Sequence, residues 1–362
     1  MLRVMIIGCG MIAPKHINGF LAYGSDCKIT VLANRNVAKA EALKNQFNLD
    51  CICVSDYKDG LKHCDAVVIC TPPASHKQMA IDAFESGKHV LCEKPLAQSL
   101  EDCDLMIESA KKHGKVFSSI AQNRFIPENA KVINMIKNGD LGKVFHTSVQ
   151  SYWFRTDKYY DMDWRGKWEI EGGGVTMNNA IHHMDLLLWA GGMPSEITST
   201  FSNLNHKGSN EEDISISIFK YPNGSLATVT CSMLHHGEEK EIYFQAEKGG
   251  VSIPFKARCS KGRADGFGVE DEEGKLKIEE IYKSKVYDKP ERFDGQIANF
   301  LDAILKGDNL LISGEDGKNA LELVVAIYKS SITGKPVILP LAKDDKYYTL
   351  LGRTEDAPRF NS

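Results

Sequence analysis

The first strand of this chain runs without a break into a glycine turn. Leu2-Arg3-Val4-Met5-Ile6-Ile7 is followed directly by Gly8-Cys9-Gly10-Met11-Ile12-Ala13. A short apolar run ending in G-x-G-x-x-A predicts a buried strand turning into a helix. Gly8 permits the tight turn, and Gly10 puts no side chain between the backbone and a pyrophosphate. Ala13 is small enough for the helix to pack on the strand. With Met11 and Ile12 in the turn, the first amides of the helix are placed to face dinucleotide phosphates.

A second strand, Lys28-Ile29-Thr30-Val31-Leu32-Ala33, ends in Asn34-Arg35-Asn36. Dinucleotide folds commonly carry an acid there, on the adenine ribose. Asn34 can hydrogen-bond a ribose hydroxyl without repelling a 2′-phosphate, and Arg35 can attract that phosphate or stack on adenine. NAD and NADP both stay open, with NAD favoured and tight binding allowed for. The alternation continues with Ala66-Val67-Val68-Ile69-Cys70, a helix from about His76 to Glu85, and His89-Val90-Leu91-Cys92. A capping box at Ser99 and Asp102 opens the next helix, and Val116–Ile120 is a further strand. This order predicts an α/β fold: a doubly wound parallel Rossmann sheet over residues 1–121.

Beyond about residue 140 the pattern changes. Asp213–Phe219 and Ser225–Cys231 alternate apolar with polar residues, and Asn223-Gly224 between them is a strong hairpin signal. Residues 122–345 are therefore expected to form an α+β substrate-binding and oligomerisation domain with a large, mainly antiparallel open sheet. Residues 346–362 make a tail. A sheet face rich in Ile, Val, Leu and Thr predicts a homo-oligomer built through that sheet.

Lys94 follows the fifth apolar strand, between Glu93 and Pro95. Open parallel sheets bind ligands beyond the carboxyl ends of their strands, so this cation is placed for chemistry beside a nucleotide. A second cluster is Gly172-Gly173-Gly174 followed by Asn178, Asn179, His182, His183 and Asp185. A single helix over 175–190 puts Asn178, His182 and Asp185 on one face, with His182 as a general base and His183 pointing elsewhere. A metal set of His182 or His183 with Asp185 and His235-His236 is the alternative. No spacing of the HExxH kind supports it, and no metal is expected.

Net charge is −4 with no basic block, which argues against a nucleic-acid partner, and no apolar stretch reaches the length of a membrane span. The apolar N-terminus is taken up by the first strand, so no signal peptide is expected. The 10 cysteines form no CxxC pair, and several fall inside strands, which suits buried thiols in a reducing cytoplasm.

Taken in order, several strings resemble the Gfo/Idh/MocA family of nicotinamide-dependent sugar oxidoreductases, the group of glucose–fructose oxidoreductase and inositol dehydrogenase. They are the glycine turn, Thr71-Pro72-Pro73 with His76, Gly87-Lys88-His89-Val90 leading to Glu93-Lys94-Pro95, Asn123-Arg124-Phe125, Trp164-Arg165-Gly166 and the GGG…H…D cluster. Gly314-Glu315-Asp316-Gly317 and Gly334-Lys335-Pro336-Val337 extend the likeness to nearly the whole chain. The resemblance implies that Lys94 binds the reacting hydroxyl and that His182 is the catalytic histidine. It implies that Thr71, Pro72, His76, Glu93 and Asn123 line the dinucleotide, with Trp164 and Arg165 near the nicotinamide or sugar. Many relatives have an aspartate where Asn178 stands, and an amide stabilises an imidazolium less well. Members acting on C3 of hexose rings often show asparagine there, which tilts the expectation to C3 oxidation.

The substrate side is expected to include Arg124, Tyr152, Tyr160, Asn178 and Asn179 besides Lys94 and His182. Aromatic residues crowd positions 152–168, and their faces suit the C–H faces of a sugar or glycoside. UDP-hexose or inositol oxidation is the nearest alternative. A non-catalytic nucleotide sensor and a metal-dependent isomerase or hydrolase are the alternatives of other classes.

Overall fold

The computed structural model describes residues 1–162 and 164–360. They fall into two compact units, Met1–Phe125 with Lys289–Leu321 and Ile126–Asp288 with Glu322–Ser362. Of the C-terminal tail, residues 361 and 362 lie outside the described residues.

The first unit alternates β1 (Leu2–Ile7), α1 (Ala13–Leu21), β2 (Cys27–Ala33), α2 (Val37–Gln46), β3 (Ile52–Val54) and α3 (Tyr57–Gly60). It goes on through β4 (Ala66–Ile69), α4 (His76–Glu85), β5 (His89–Cys92), α5 (Leu100–Lys112) and β6 (Phe117–Ser119). All six strands are parallel, in the order β3-β2-β1-β4-β5-β6. Val4, Met5, Ile6 and the whole of β4 are fully buried, as expected for strands covered on both faces. Each such aliphatic side chain contributes roughly 1.5–3 kcal/mol by leaving water. Ser99 caps α5 by accepting from the Asp102 amide at 3.1 Å.

In the second unit α6 (Pro127–Lys137) precedes β7 (Val144–Tyr152), and α7 (Val175–Asn178) and α8 (Ile181–Gly191) follow. Then come β8 (Glu196–Ser202), β9 (Ile214–Lys220), β10 (Leu226–Ser232), β11 (Lys240–Ala246), β12 (Gly249–Ile253), β13 (Ala257–Arg258), β14 (Ser260–Gly262), β15 (Gly268–Glu270) and α9 (Glu272–Ser284). Helix α10 (Arg292–Leu305) belongs to the first unit, where Ile297, Phe300 and Leu301 join the core beside β1 and α1. The chain ends with α11 (Gly314–Thr333), β16 (Val337–Ile338) and α12 (Leu350–Asp356).

The large sheet of this unit has eight strands, ordered β13-β12-β11-β7-β10-β9-β8-β16. The expected hairpin is present: β9 and β10 pair antiparallel, from Lys220–Leu226 to Ile214–Ser232. Pairing is antiparallel throughout except that β10 lies parallel to β7. Helix α7 packs against β9 and β10. The alternation on β9 is inverted relative to ordinary expectation. Ser215 and Ser217 face inward and are buried, whereas Ile216 and Ile218 are about half exposed, at 50% and 48%.

Candidate active site

In the first unit the strand order reverses between β1 and β4, and dinucleotides bind at that point beyond the carboxyl ends of the strands. The ladder there is continuous. Cys70 donates its amide to Ile7, and Glu93 donates to Ile69, so Gly8, Thr71 and Lys94 emerge along one edge. Gly8 has φ +96°, and a Cβ on it would stand 2.8 Å from the Cys70 carbonyl, so only glycine fits. At Gly10 a Cβ would meet nothing within 4 Å among the described residues, which leaves the room that close approach of a pyrophosphate requires. No carboxylate lies in the first turn of α1 to compete with an anion. These residues fit a dinucleotide.

Asn34 braces the turn. Its Oδ1 accepts from the Cys9 amide at 3.0 Å, and its Nδ2 donates to the Asn36 carbonyl at 2.8 Å. Met11 and Arg35 are exposed, and Ile12, Thr71 and Asn123 are half-buried. His76 is wholly buried. Its Nε2 lies 2.7 Å from the Thr71 carbonyl, and its Nδ1 lies 3.1 and 3.2 Å from those of Pro95 and Leu96. Burial lowers its pKa against the pull of those carbonyls. The ring therefore staples the loop after β4, which carries Thr71 and Pro72, to the loop after β5.

Glu93 is similarly engaged. It accepts from the Lys94 amide at 3.1 Å, and its other oxygen lies 2.8 Å from Nε2 of His16, a fully buried residue of α1. Burial alone would raise this carboxyl, but the hydrogen bond and charge of His16, with the charge of Lys94, hold it below its ordinary value. The backbone at Lys94, itself half-buried, is thereby fixed to the helix that follows the glycine turn. His16 escaped the sequence reading; its one signal was the buried stripe Ala13, His16, Ile17, Phe20 on α1. Arg124 turns inward at 4% exposure, donating to the Leu311 carbonyl and pairing with Asp316, each at 3.0 Å.

In the second unit the single helix expected over 175–190 is two helices, a correction with a local cause. The Ala180 amide reaches back to the Val175 carbonyl, five residues away, beside the Asn179 amide, so the coil widens and restarts at Ile181. Asn178 thus closes α7, donating Nδ2 to the carbonyls of Gly173 at 2.7 Å and Gly174 at 3.2 Å. His182 stands half-buried in the first turn of α8, and Asn179 is half-buried in the break. His183 is buried, and burial together with the charge of Lys240 pushes its pKa down to about 4. It is a neutral structural ring at physiological pH.

The aromatic stretch makes a shelf. Tyr152 stacks on His235 at 3.8 Å, Phe154 on His236 at 4.7 Å, and Lys240 sits 3.8 Å over Trp153. Arg165 lies 3.8 Å from the Tyr159 ring and 4.2 Å from that of Trp164, and it pairs with Glu171 at 2.9 Å. Tyr160 is buried, its hydroxyl 3.4 Å from the Met233 sulfur. Among the described residues no group of three or more His, Cys, Asp or Glu side chains is arranged to hold a metal ion.

The family model for an oxidoreductase family with an NAD-binding Rossmann fold matches residues 2–120. The model for the C-terminal α/β domain of the same family matches residues 133–339. The 2,7-anhydro-N-acetylneuraminate hydratase of Escherichia coli K12 is 27% identical over 276 residues, 74% of this chain and 71% of that protein. The D-glucoside 3-dehydrogenase of the same organism is 23% identical over 367 residues, 93% of this chain and 97% of that protein. The structure of the WlbA dehydrogenase from Bordetella pertussis in complex with NADH and UDP-GlcNAcA superposes with a TM-score of 0.81. It is 25% identical and covers 94% of this chain and 99% of that one. The chain therefore belongs to the Gfo/Idh/MocA oxidoreductase family, with a nicotinamide cofactor as the partner of its N-terminal Rossmann fold.

Proposed function

We propose that this protein is a dehydrogenase that oxidises a secondary hydroxyl of a sugar or glycoside, at C3 by preference, or reduces the ketone in reverse. The observation that carries the reading is the Glu93–His16 pair, which ties Lys94 to the helix of the glycine turn. When bound, the nicotinamide supplies the acceptor for the hydride that leaves the carbon. The chain's own residues manage the proton and the charge. His182 takes the proton of the hydroxyl, and Lys94 donates to the oxygen as it becomes an alkoxide, serving the same alcohol. Preorganised charge of this kind often dominates catalysis. The Tyr152, Trp153 and Trp164 faces suit the C–H surface of the ring. Asn34 keeps one amide hydrogen for a ribose hydroxyl, and NAD is the favoured cofactor, in line with the NADH of the WlbA complex.

A panel of free sugars, glycosides and UDP-sugars, followed by absorbance of reduced cofactor, tests the reading. Reduction with a glycoside supports it; no reduction with any member of the panel overturns it. A second reading, net hydration without accumulation of reduced cofactor, is favoured by the hydratase relative. It predicts a changed sugar in the same panel with no change in absorbance.

The outward isoleucines of β9, with Leu226 of β10 at 45% exposure, support a homo-oligomer formed through the open sheet face. Light scattering at micromolar concentration checks this: a particle of monomer mass would refute it. All ten thiols stand free, in keeping with a reducing cytoplasm, and no helix among the described residues is long and apolar enough to cross a membrane.

A further inference from the structure

Three carboxyl groups lie in the interior of the second unit with no part yet in the chemistry. Glu171, Glu211 and Glu212 are exposed by 2%, 0% and 0%. Each holds backbone from a segment assigned above to the site. Glu171 accepts from the Gly166 amide at 2.9 Å and pairs with Arg165. Glu211 accepts from the Gly173 amide at 2.9 Å. Glu212 accepts from the amides of Gly174 and Thr176, at 2.9 and 3.0 Å, and from the Tyr328 hydroxyl at 2.9 Å. The glycines make this approach possible. A Cβ on Gly173 would stand 2.1 Å from the Tyr328 hydroxyl oxygen, and one on Gly174 would stand 2.0 Å from the Glu212 carbonyl oxygen.

The second oxygen of Glu211 is buried and, among the described residues, accepts no hydrogen bond, and the side chain meets that of Glu171. Two carboxylates that meet in such a place each disfavour the other's charge, and burial adds to that. A proton on Glu211 turns the contact into a hydrogen bond, with Glu171 as acceptor. We infer that Glu171, Glu211 and Glu212 form a proton-sharing clamp that positions His182, by locking the Trp164-Arg165-Gly166 turn to the glycine loop leading into α7 and α8. The inference rests on the role proposed for His182. These acids are positioning residues.

The charged and titratable groups facing the clamp are Arg165 and Tyr159 and Tyr160 from the preceding loop, Tyr328 from α11, Arg353 from α12 and Cys231 from β10. Burial, then the charges of Glu171 and Glu212, raise the Glu211 pKa well above the carboxylate range. A group raised on folding contributes stability that is complete below its unfolded pKa and fades as pH rises towards its folded one. The clamp's contribution is therefore complete at acid pH, below the ordinary carboxylate range, and declines as pH rises from that range towards the folded value.

The test compares Glu211→Ala with Glu211→Gln in the full-length protein. The amide of glutamine can accept from Gly173 and donate to Glu171, as the protonated acid does. Glu211→Ala is expected to lower kcat by about tenfold to a hundredfold, the scale of a ~1 Å misplacement, with KM changed less. Glu211→Gln is expected to restore kcat, to flatten its alkaline fall, and to flatten the decline in melting temperature that begins above the ordinary carboxylate range. Glu171→Gln, which places an amide against the Arg165 guanidinium or a backbone donor, is expected to resemble the alanine variant. Equal kcat in Glu211→Ala and the unaltered protein would overturn the inference, as would a decline in melting temperature above the ordinary carboxylate range that persists undiminished in Glu211→Gln. The melting readout needs no substrate, so failure of the clamp is distinguishable from failure of the sugar dehydrogenase reading.

Discussion

The cofactor edge of the first unit and the His182 segment of the second are built on opposite principles. At the cofactor edge the backbone does the positioning. Parallel strands end in register, Gly8 turns, and side chains such as Asn34, His76 and Glu93 brace loops whose course the strands have already set. At the His182 segment the backbone is irregular, with a glycine loop and a broken helix, and side chains remote in sequence hold it. Glu211 and Glu212 reach it from more than thirty residues away, and Tyr328, which donates to Glu212, lies more than a hundred residues beyond that glutamate. The lesson is that a site on strand ends is carried by local pattern, whereas a site on a loop needs a buried polar framework to hold it.

Four substitutions break or sharpen that contrast. The largest effect is expected from Lys94→Ala, a loss of at least ~100-fold in turnover, the low end for removing an alkoxide or acid–base partner. Near-normal turnover in steady-state assays would remove Lys94 from the chemistry. His182→Asn should cost about the same or somewhat less, and it should erase the dependence of kcat/KM on a general base. A pH profile unchanged in shape would show that another group takes the proton.

Glu93→Gln tests whether the braces of the first unit matter beyond the backbone. A loss of roughly 1–3 kcal/mol is expected from breaking a buried charge-assisted hydrogen bond, with a smaller, about tenfold, drop in turnover. Because the Glu93 pKa is depressed on folding, its contribution is present above the ordinary carboxylate range and is lost as pH falls through the folded value. The gap in melting temperature between the two proteins should thus close towards acid pH; a constant gap would refute the pairing with His16. The smallest effect is expected from Asn34→Asp, which should reduce use of NADP several-fold more than use of NAD, since a carboxylate repels the 2′-phosphate. Equal ratios of kcat/KM before and after would place the adenine ribose elsewhere.

The contrast also explains what could be read early. Strand, turn and acceptor were written together at Gly8, because φ +96° beside the Cys70 carbonyl admits one residue type. Lys94 was legible because a lysine directly after an apolar run has its place set by the strand. The Asn178–His182 relation was not legible: a helical period extrapolates smoothly across Asn179 and Ala180, while the amide of Ala180 chooses the Val175 carbonyl. Nor was the run Glu211-Glu212-Asp213, which composition alone would place in water. All three are fully buried, the aspartate on His206 at 3.0 Å and on the amides of Leu204 and Asn205.

Short-range chemistry, then, decided by itself the alternation of strand and helix in the first unit, which turn needs glycine, and which family this chain belongs to, since those depend on steric and hydrophobic rules acting within a few residues. The tertiary structure alone decided the partners of the buried charges: His16 with Glu93, Glu171 with Arg165, Glu212 with Tyr328. A charge is tolerated inside a protein only where distant segments bring donors to it, and no local rule specifies which segments those are.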